Sequence, residues 1–385
     1  MSEKIFLDNA STTKIDEKVN QLISKTNLED FYNPSAMYHE SLVIKQKLEQ
    51  AQKTIAKYLN VESKNILFTS GATESNNLAI MGSVTAKKNA EYIFSSGEHP
   101  SVYNVAKFLE QKGMTIKFVK LTANGVVDLD DLKSKLSPNT HFVSIMFVSN
   151  ETGAINDIQA ISNIIKSYNK NIIFHVDGVQ AFGKIPCDLS SLQVDAFSIS
   201  AHKFHGPKGV GVLYYKNLNV LKPQMIGGGQ QLNYRSGTEN VSGILGMELA
   251  CQIANENMQE NFNKVAHLKN LFIEQIRRDL EEVDYQINQN ETNNSPYILS
   301  VSFKGLKSEV LMHLLERENV LVGTGSACSS KKQENRVLQS MGKQPDYVKG
   351  NIRISFSRMN TTEEVETASK AFTKAVLELK QNIMG

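Results

Sequence analysis

From about residue 65 to residue 215 the chain alternates between two kinds of apolar pattern. Short runs rich in β-branched and aromatic residues occur at 65–69, 92–94, 115–119, 141–148, 171–176, 194–199 and 209–215. These runs are apolar at successive positions, as in strands buried on both faces. Stretches with helical spacing lie between several of them, at 72–88, 102–111, 129–136 and 158–168. Strand–helix alternation of this kind predicts an α/β fold with a mostly parallel sheet flanked by helices. Such sheets bind ligands beyond the carboxyl ends of their strands. The residues directly after each run are therefore where chemistry is expected.

Downstream the pattern changes. Residues 256–280 read as one long amphipathic helix. The remainder mixes strands at 297–303 and 351–356 with helices at 308–318 and 362–381. This predicts a second, smaller α+β domain. The segment 5–13 is too short to form a domain and is expected to pack on one of the two. We expect a large domain over residues 15–258 and a small C-terminal domain built from residues 1–14 and 259–385.

The 385 residues are ample for two cores. Apolar residues make up 41% and charged residues 21%, the balance of a globular chain. A net charge of +2 gives no electrostatic reason to expect nucleic acid or an anionic membrane as partner. No apolar run approaches the ~18 residues that span a bilayer, and the first ten residues lack a signal-peptide core. A cytoplasmic location is expected. The three cysteines, Cys187, Cys251 and Cys328, are far apart and form no C-x-x-C pair. That argues against a disulfide framework or an all-cysteine zinc site, and no metal is expected.

Six strand-end or loop motifs carry chemistry. Lys203, in Ser200-Ala201-His202-Lys203-Phe204-His205-Gly206-Pro207, offers an amine able to form a Schiff base with an aldehyde cofactor; the alternative is a solvated loop lysine. Asp177, in His175-Val176-Asp177-Gly178-Val179-Gln180, can pair with a protonated ring nitrogen or cap a helix. Ser70-Gly71-Ala72-Thr73-Glu74 turns from strand to helix, where exposed N–H groups suit a phosphate and Thr73 can add a hydroxyl; the alternative is an ordinary capped turn with Gly for backbone reasons. His99, in Gly97-Glu98-His99-Pro100-Ser101, can stack on an aromatic ring or move protons, or sit in a surface loop. Cys328 lies among small residues with Lys331 and Lys332 just after it, surroundings that favour an accessible thiolate over a buried structural cysteine. Arg353, inside an apolar strand, needs a carboxylate partner, from the protein or from a substrate.

In order and spacing these motifs resemble the cysteine desulfurases of the NifS/IscS type, within the class V group of fold-type I pyridoxal 5'-phosphate (PLP) enzymes. The resemblance runs nearly end to end. It begins at Leu7-Asp8-Asn9-Ala10-Ser11-Thr12-Thr13 and Asn33-Pro34-Ser35. It continues through Asn150-Glu151-Thr152-Gly153 and Arg235-Ser236-Gly237-Thr238, and closes with Ser326-Ala327-Cys328 and Arg353.

The resemblance implies roles for matching positions. Lys203 holds PLP covalently, Asp177 faces the ring nitrogen, and Gln180 the ring hydroxyl. His99 stacks on the ring and assists proton transfer. Ala72, Thr73, Ser200 and His202 bind the phosphate, joined by Thr238 from the other subunit of a homodimer. Asn150 contacts cofactor or substrate, and Asn33 and Arg353 hold the substrate carboxylate. Cys328 accepts sulfur from L-cysteine as a persulfide, leaving L-alanine, and passes it to an acceptor protein for iron–sulfur cluster assembly or tRNA thiolation. The alternatives are a selenocysteine lyase or another PLP-dependent lyase or aminotransferase.

Overall fold

The computed structural model describes residues 4–289, 293–325 and 335–384. Strand β1 (Ile5–Phe6) is followed by helices α1 (Glu17–Glu29) and α2 (His39–Leu59). Strands and helices then alternate: β2 (Ile66–Thr69), α3 (Ala72–Gly82), β3 (Glu91–Ser95), α4 (Pro100–Gln111), β4 (Thr115–Val119), α5 (Leu129–Lys135), β5 (Thr140–Met146), α6 (Ile158–Tyr168), β6 (Ile173–Asp177), α7 (Leu189–Leu192), β7 (Ala196–Ser200) and β8 (Gly211–Tyr215). Two long helices follow, α8 (Val241–Glu256) and α9 (Met258–Asp279). The chain ends with β9 (Tyr285–Ile287), β10 (Ile298–Phe303), α10 (Ser308–Arg317), β11 (Val320–Leu321), α11 (Arg336–Ser340), α12 (Pro345–Val348), β12 (Asn351–Ser355) and α13 (Thr362–Met384).

The large sheet has seven strands in the order β2-β8-β7-β6-β5-β3-β4. From β7 to β4 every pairing is parallel, and β8 alone runs antiparallel to its neighbours β7 and β2. The parallel strands read as unbroken apolar runs because helices cover both faces. Helix α6 shows why the covering helices form. Asp157 accepts from the Ala160 N–H at its N-terminus, and Ile158, Ile161 and Ile165 recur at helical spacing on the buried side. The small sheet, β12-β10-β9, is antiparallel, and β1 pairs in parallel with β11.

Two main clusters of buried apolar residues result. One surrounds the large sheet; the other packs Leu7 and Ala10 with α9, α13 and the small sheet. Val337, Leu338, Met341 and Val348 join the large-sheet cluster although they lie late in the chain. A division near residue 258, with residues 1–14 grouped with the C-terminal part, remains our proposal for the domains.

Two expected helices differ, and a third helix stands where none was expected. The helix expected over 72–88 stops at Gly82, whose carbonyl accepts from Lys222 N at 2.8 Å; a Cβ there would lie 2.7 Å from the Lys222 carbonyl oxygen. The helix expected over 256–280 begins at Met258, after a break at Asn257. Ahead of it stands α8, which the pattern does not reveal because it packs against both α1 and α2 and is apolar on several faces.

Two outcomes test this packing. A Cβ on Gly178 would lie 1.8 Å from Phe197 Cζ, and Phe197 is fully buried. Gly178→Ala should lower the unfolding free energy by about 1–3 kcal/mol, read by urea denaturation. His175 is buried between Ser144 Oγ at 2.9 Å and Ser198 Oγ at 3.1 Å, and burial lowers its pKa from 6.5 to about 3. The unfolded chain therefore takes this proton first, and stability falls as pH drops from 6.5 toward 3. His175→Gln should flatten that part of the urea midpoint against pH curve; identical slopes would refute it.

Candidate active site

The carboxyl ends of β2, β3, β5, β6 and β7 converge on a cavity of about 600 Å³. Its lining includes Ala72, Thr73, His99, Asn150, Asp177, Gln180, Ser200, His202, Lys203 and Arg353. Ten of the residues singled out in the sequence thus face one space.

The turn after β2 runs into the first residues of α3, and Ser70 to Glu74 line this space. Gly71 there adopts a φ of 149°, and Gly211 passes so close that a Cβ on it would lie 2.7 Å from the Gly71 Cα. Glu74 accepts from Ser70 N at 2.8 Å and pairs with Arg235 at 2.7 Å. Burial raises the Glu74 pKa, but the bonds from Arg235 and Ser70 bring it below its ordinary value. Arg235 in turn leads to Thr238, which is exposed and lies outside the cavity lining.

At the end of β6, Asp177 accepts from Asn76 Nδ2 at 2.9 Å and from Val179 N at 3.1 Å. Gln180 donates from Nε2 to the Ala10 carbonyl at 2.9 Å and accepts from Lys184 Nζ at 2.7 Å. Lys184 is buried with its ammonium 5.4 Å from the centre of the Tyr297 ring. Burial, then the charge of Lys203, lowers its pKa to about 7.

After β7, Lys203 Nζ donates to the carbonyls of Ala10 at 2.8 Å and Ser11 at 2.7 Å. His202 Nδ1 lies 3.0 Å from Thr12 Oγ1. Burial, then the charge of Lys203, lowers the His202 pKa to about 4, so this ring is neutral near pH 7.

Arg353 on β12 enters from the small sheet. It donates to Asp8 at 2.9 Å, Ser11 Oγ at 2.7 Å and the Asn150 carbonyl at 3.0 Å, with Glu151 at 3.7 Å. Its carboxylate partners in this arrangement are protein acids. Asn33 does not reach the cavity: it is exposed, and its Oδ1 accepts from Ser35 N at 2.9 Å in a local turn. The sequence placed it with Arg353, but it closes its own loop. Cys328 lies outside the described residues. The described residues on either side of its segment, Gly325 and Asn335, both line the cavity. Cys187 and Cys251 are buried, and burial raises both thiol pKa values.

Several residues of the site carried no assignment from the sequence. Glu98 is fully buried; its Oε1 accepts from Met146 N at 2.7 Å, and among the described residues its Oε2 has no hydrogen-bond partner. Burial, then the charge of Asp177, raises its pKa well above the ordinary value. Arg336 donates to the carbonyls of Ser96 and Glu98 and lies 3.8 Å from the centre of the Tyr103 ring. No sequence pattern signals Arg336. Lys184 has a faint one, four residues after Gln180, and Asn76 follows Thr73 at helical spacing.

The donor set fits a flat aldehyde that carries a phosphate and a basic ring nitrogen. A helix N-terminus with Ser200 and His202 suits the phosphate, the buried Asp177 carboxylate suits the ring N–H, and Lys203 brings an amine.

Comparison with known proteins adds the family. The family model described as Aminotransferase class-V matches residues 5–367. The cysteine desulfurase IscS of Dictyoglomus turgidum is 37% identical over 383 residues, 99% of this chain and 96% of that protein. The protein of the same name from Buchnera aphidicola is 38% identical over 388 residues, 99% of this chain and 94% of that protein. Among solved structures, a NifS-like protein superposes with a TM-score of 0.91 at 34% identity, covering 98% of this chain and 100% of the other. A NifS-like protein from Rickettsia africae gives 0.86 at 30% identity, covering 97% and 99%. With an α/β sheet whose strand ends carry this lysine, aspartate and histidine, and with relatives matching along the whole length, the chain belongs to the class-V aminotransferase family, as a PLP-dependent cysteine desulfurase of the NifS/IscS type.

Proposed function

We propose that the chain works as a homodimer that takes sulfur from L-cysteine, releases L-alanine, and carries the sulfur on Cys328. The observation that supports this reading best is the meeting of Lys203, Asp177, His99 and Arg353 at a cavity also lined by Gly325 and Asn335. Those two residues bracket the segment that contains Cys328.

PLP would be held by the N–H groups at Ala72 and Thr73 with Ser200 and His202 at its phosphate. Asp177 would face its ring nitrogen, Gln180 its ring hydroxyl, Lys203 its aldehyde carbon and His99 its ring. When bound, PLP supplies an electron sink for negative charge at the substrate α-carbon. Lys203 is the amine we assign to remove the α-proton. Arg353 and Asn150 bind the substrate carboxylate. Arg353 is already fixed by Asp8 and Ser11, so the cation is oriented before substrate arrives. The Cys328 thiolate then attacks the substrate sulfur. An S–S bond forms, the C–S bond breaks with its electron pair returning to carbon, and a proton completes the methyl group of alanine. A second thiol, on an iron–sulfur scaffold or a tRNA-thiolating enzyme, takes the sulfur onward.

Exposed apolar residues support a dimer. Met37 is 95% exposed and Ile226 is 90% exposed, with Leu28, Phe31 and Leu232 also open to solvent. Exposure of this kind at the end of α1, in the segment after it and over residues 226–232 fits a covered surface, and Thr238 of a second copy would complete the phosphate site. No helix among the described residues is long and apolar enough to cross a membrane. We place the enzyme in the cytoplasm.

Mass spectrometry after brief exposure of the PLP-loaded protein to L-cysteine, without reductant, should find one extra sulfur on the Cys328 peptide. The Lys203→Ala protein should show none. An unmodified Cys328 with a cofactor spectrum that responds to cysteine would shift the reading to another PLP lyase. Sedimentation should give twice the chain mass, and Met37→Lys with Ile226→Lys should yield an inactive monomer. An active monomer would overturn the shared-site arrangement.

A further inference from the structure

A chain of hydrogen bonds runs from Asp177 through Asn76 and Ser101 to His99. The Asn76 amide nitrogen donates to Asp177 Oδ2 at 2.9 Å. That nitrogen has two protons and directs the second to Ser101 Oγ, also at 2.9 Å. The Ser101 hydroxyl has one proton of its own, and its other neighbour is His99 Nδ1 at 2.8 Å. His99 Nδ1 also accepts the Ser101 backbone N–H at 3.1 Å. A ring nitrogen that accepts a backbone N–H carries no proton. The hydroxyl therefore donates to it too, and the imidazole proton sits on Nε2. Asn76, Ser101 and Asp177 are all buried.

We infer that Asn76 and Ser101 are positioning residues that hold His99 as the Nε2–H tautomer and tie its ring to Asp177. Taking up a second proton would require His99 Nδ1 to give up both of its donors. His99 thus offers a hydrogen bond through Nε2–H, while removal of the substrate proton falls to Lys203. In this the inference refines the expected share of His99 in proton transfer, and to that extent it rests on the desulfurase reading.

The surrounding charges agree. Burial lowers the His99 pKa, the Asp177 carboxylate opposes that, and Lys203, Arg353 and Arg336 reinforce it. The carboxyl of Glu98, the preceding residue, is itself pushed toward its neutral form.

The experiment is nitrogen NMR of protein with isotope-labelled histidine, over a pH series, both without and with PLP. The His99 signals are identified by their loss in His99→Gln. His99 should show a protonated Nε2 and an unprotonated Nδ1, with its further protonation displaced below the ordinary imidazole range. Ser101→Ala removes one donor to Nδ1 and should raise the His99 midpoint by about one pH unit. Ser101→Thr, which keeps the hydroxyl, should return it. Asn76→Ala should shift it the same way by less, because the hydroxyl proton is then no longer directed. A protonated Nδ1 in the unaltered protein, or a Ser101→Ala midpoint equal to the parent's, would overturn the inference. Sulfur on the Cys328 peptide would still stand in that event. A correct tautomer with no sulfur on that peptide would instead leave this inference intact and remove the desulfurase reading.

Discussion

One backbone carbonyl joins the two halves of the site. The Ala10 oxygen accepts from both Lys203 Nζ and Gln180 Nε2, each belonging to the large sheet. The N–H of the same residue donates to Ser355 Oγ on the small sheet. On either side, Asp8 and Ser11 hold Arg353, and Thr13 N donates to the His202 carbonyl. The strap from Asp8 to Thr13 therefore sets the distance between the amine of Lys203 and the guanidinium of Arg353. It buries little apolar surface of its own beyond Leu7 and Ala10. Its position depends on polar bonds that exist only when both cores have formed, and a shift of one residue would break the partners of both cations at once.

The strap also explains how the site keeps charge out of water. Charges are costly to bury unless they are paired or neutralised. Arg353 is paired. Burial raises the pKa of Glu151, and Arg353 and the amides of Asn335 and Asn150 oppose that rise. Burial and the charge of Asp177 move Glu98 toward neutrality instead. Among the described residues Lys184 meets the Gln180 amide and the Tyr297 ring, and it too moves toward its neutral form. The result is a site in which paired charges stand beside groups moved toward neutrality. In such a pocket the position of one proton changes the field strongly. Perturbed groups gathered in a cleft are the expected signature of a reacting centre.

Much of this could be read along the chain. The run lengths of β2 to β8 and the spacing in α4 and α6 are local properties, legible because strand and helix periods are local. Lys203, Asp177, His99 and Thr73 were legible for the same reason, since each follows a strand end or starts a helix. Helix α8 was not, because a helix enclosed by neighbours has no polar face to mark its period. The early end of α3 was not either, because Lys222, distant in sequence, captures its last carbonyl.

The sequence by itself determined the alternation of elements, the family pattern and the residue types at the strand ends. Those follow from short-range spacing and from the chemistry of single side chains. Only the tertiary structure decided which of them meet. It set Asn33 on an exposed turn, brought Asn76 between Asp177 and Ser101, put Lys184 behind Gln180, and gave Arg353 its partner in Asp8, 345 residues away. Hydrogen bonds between residues so far apart form only once both cores fix their separation, and no local pattern encodes that distance.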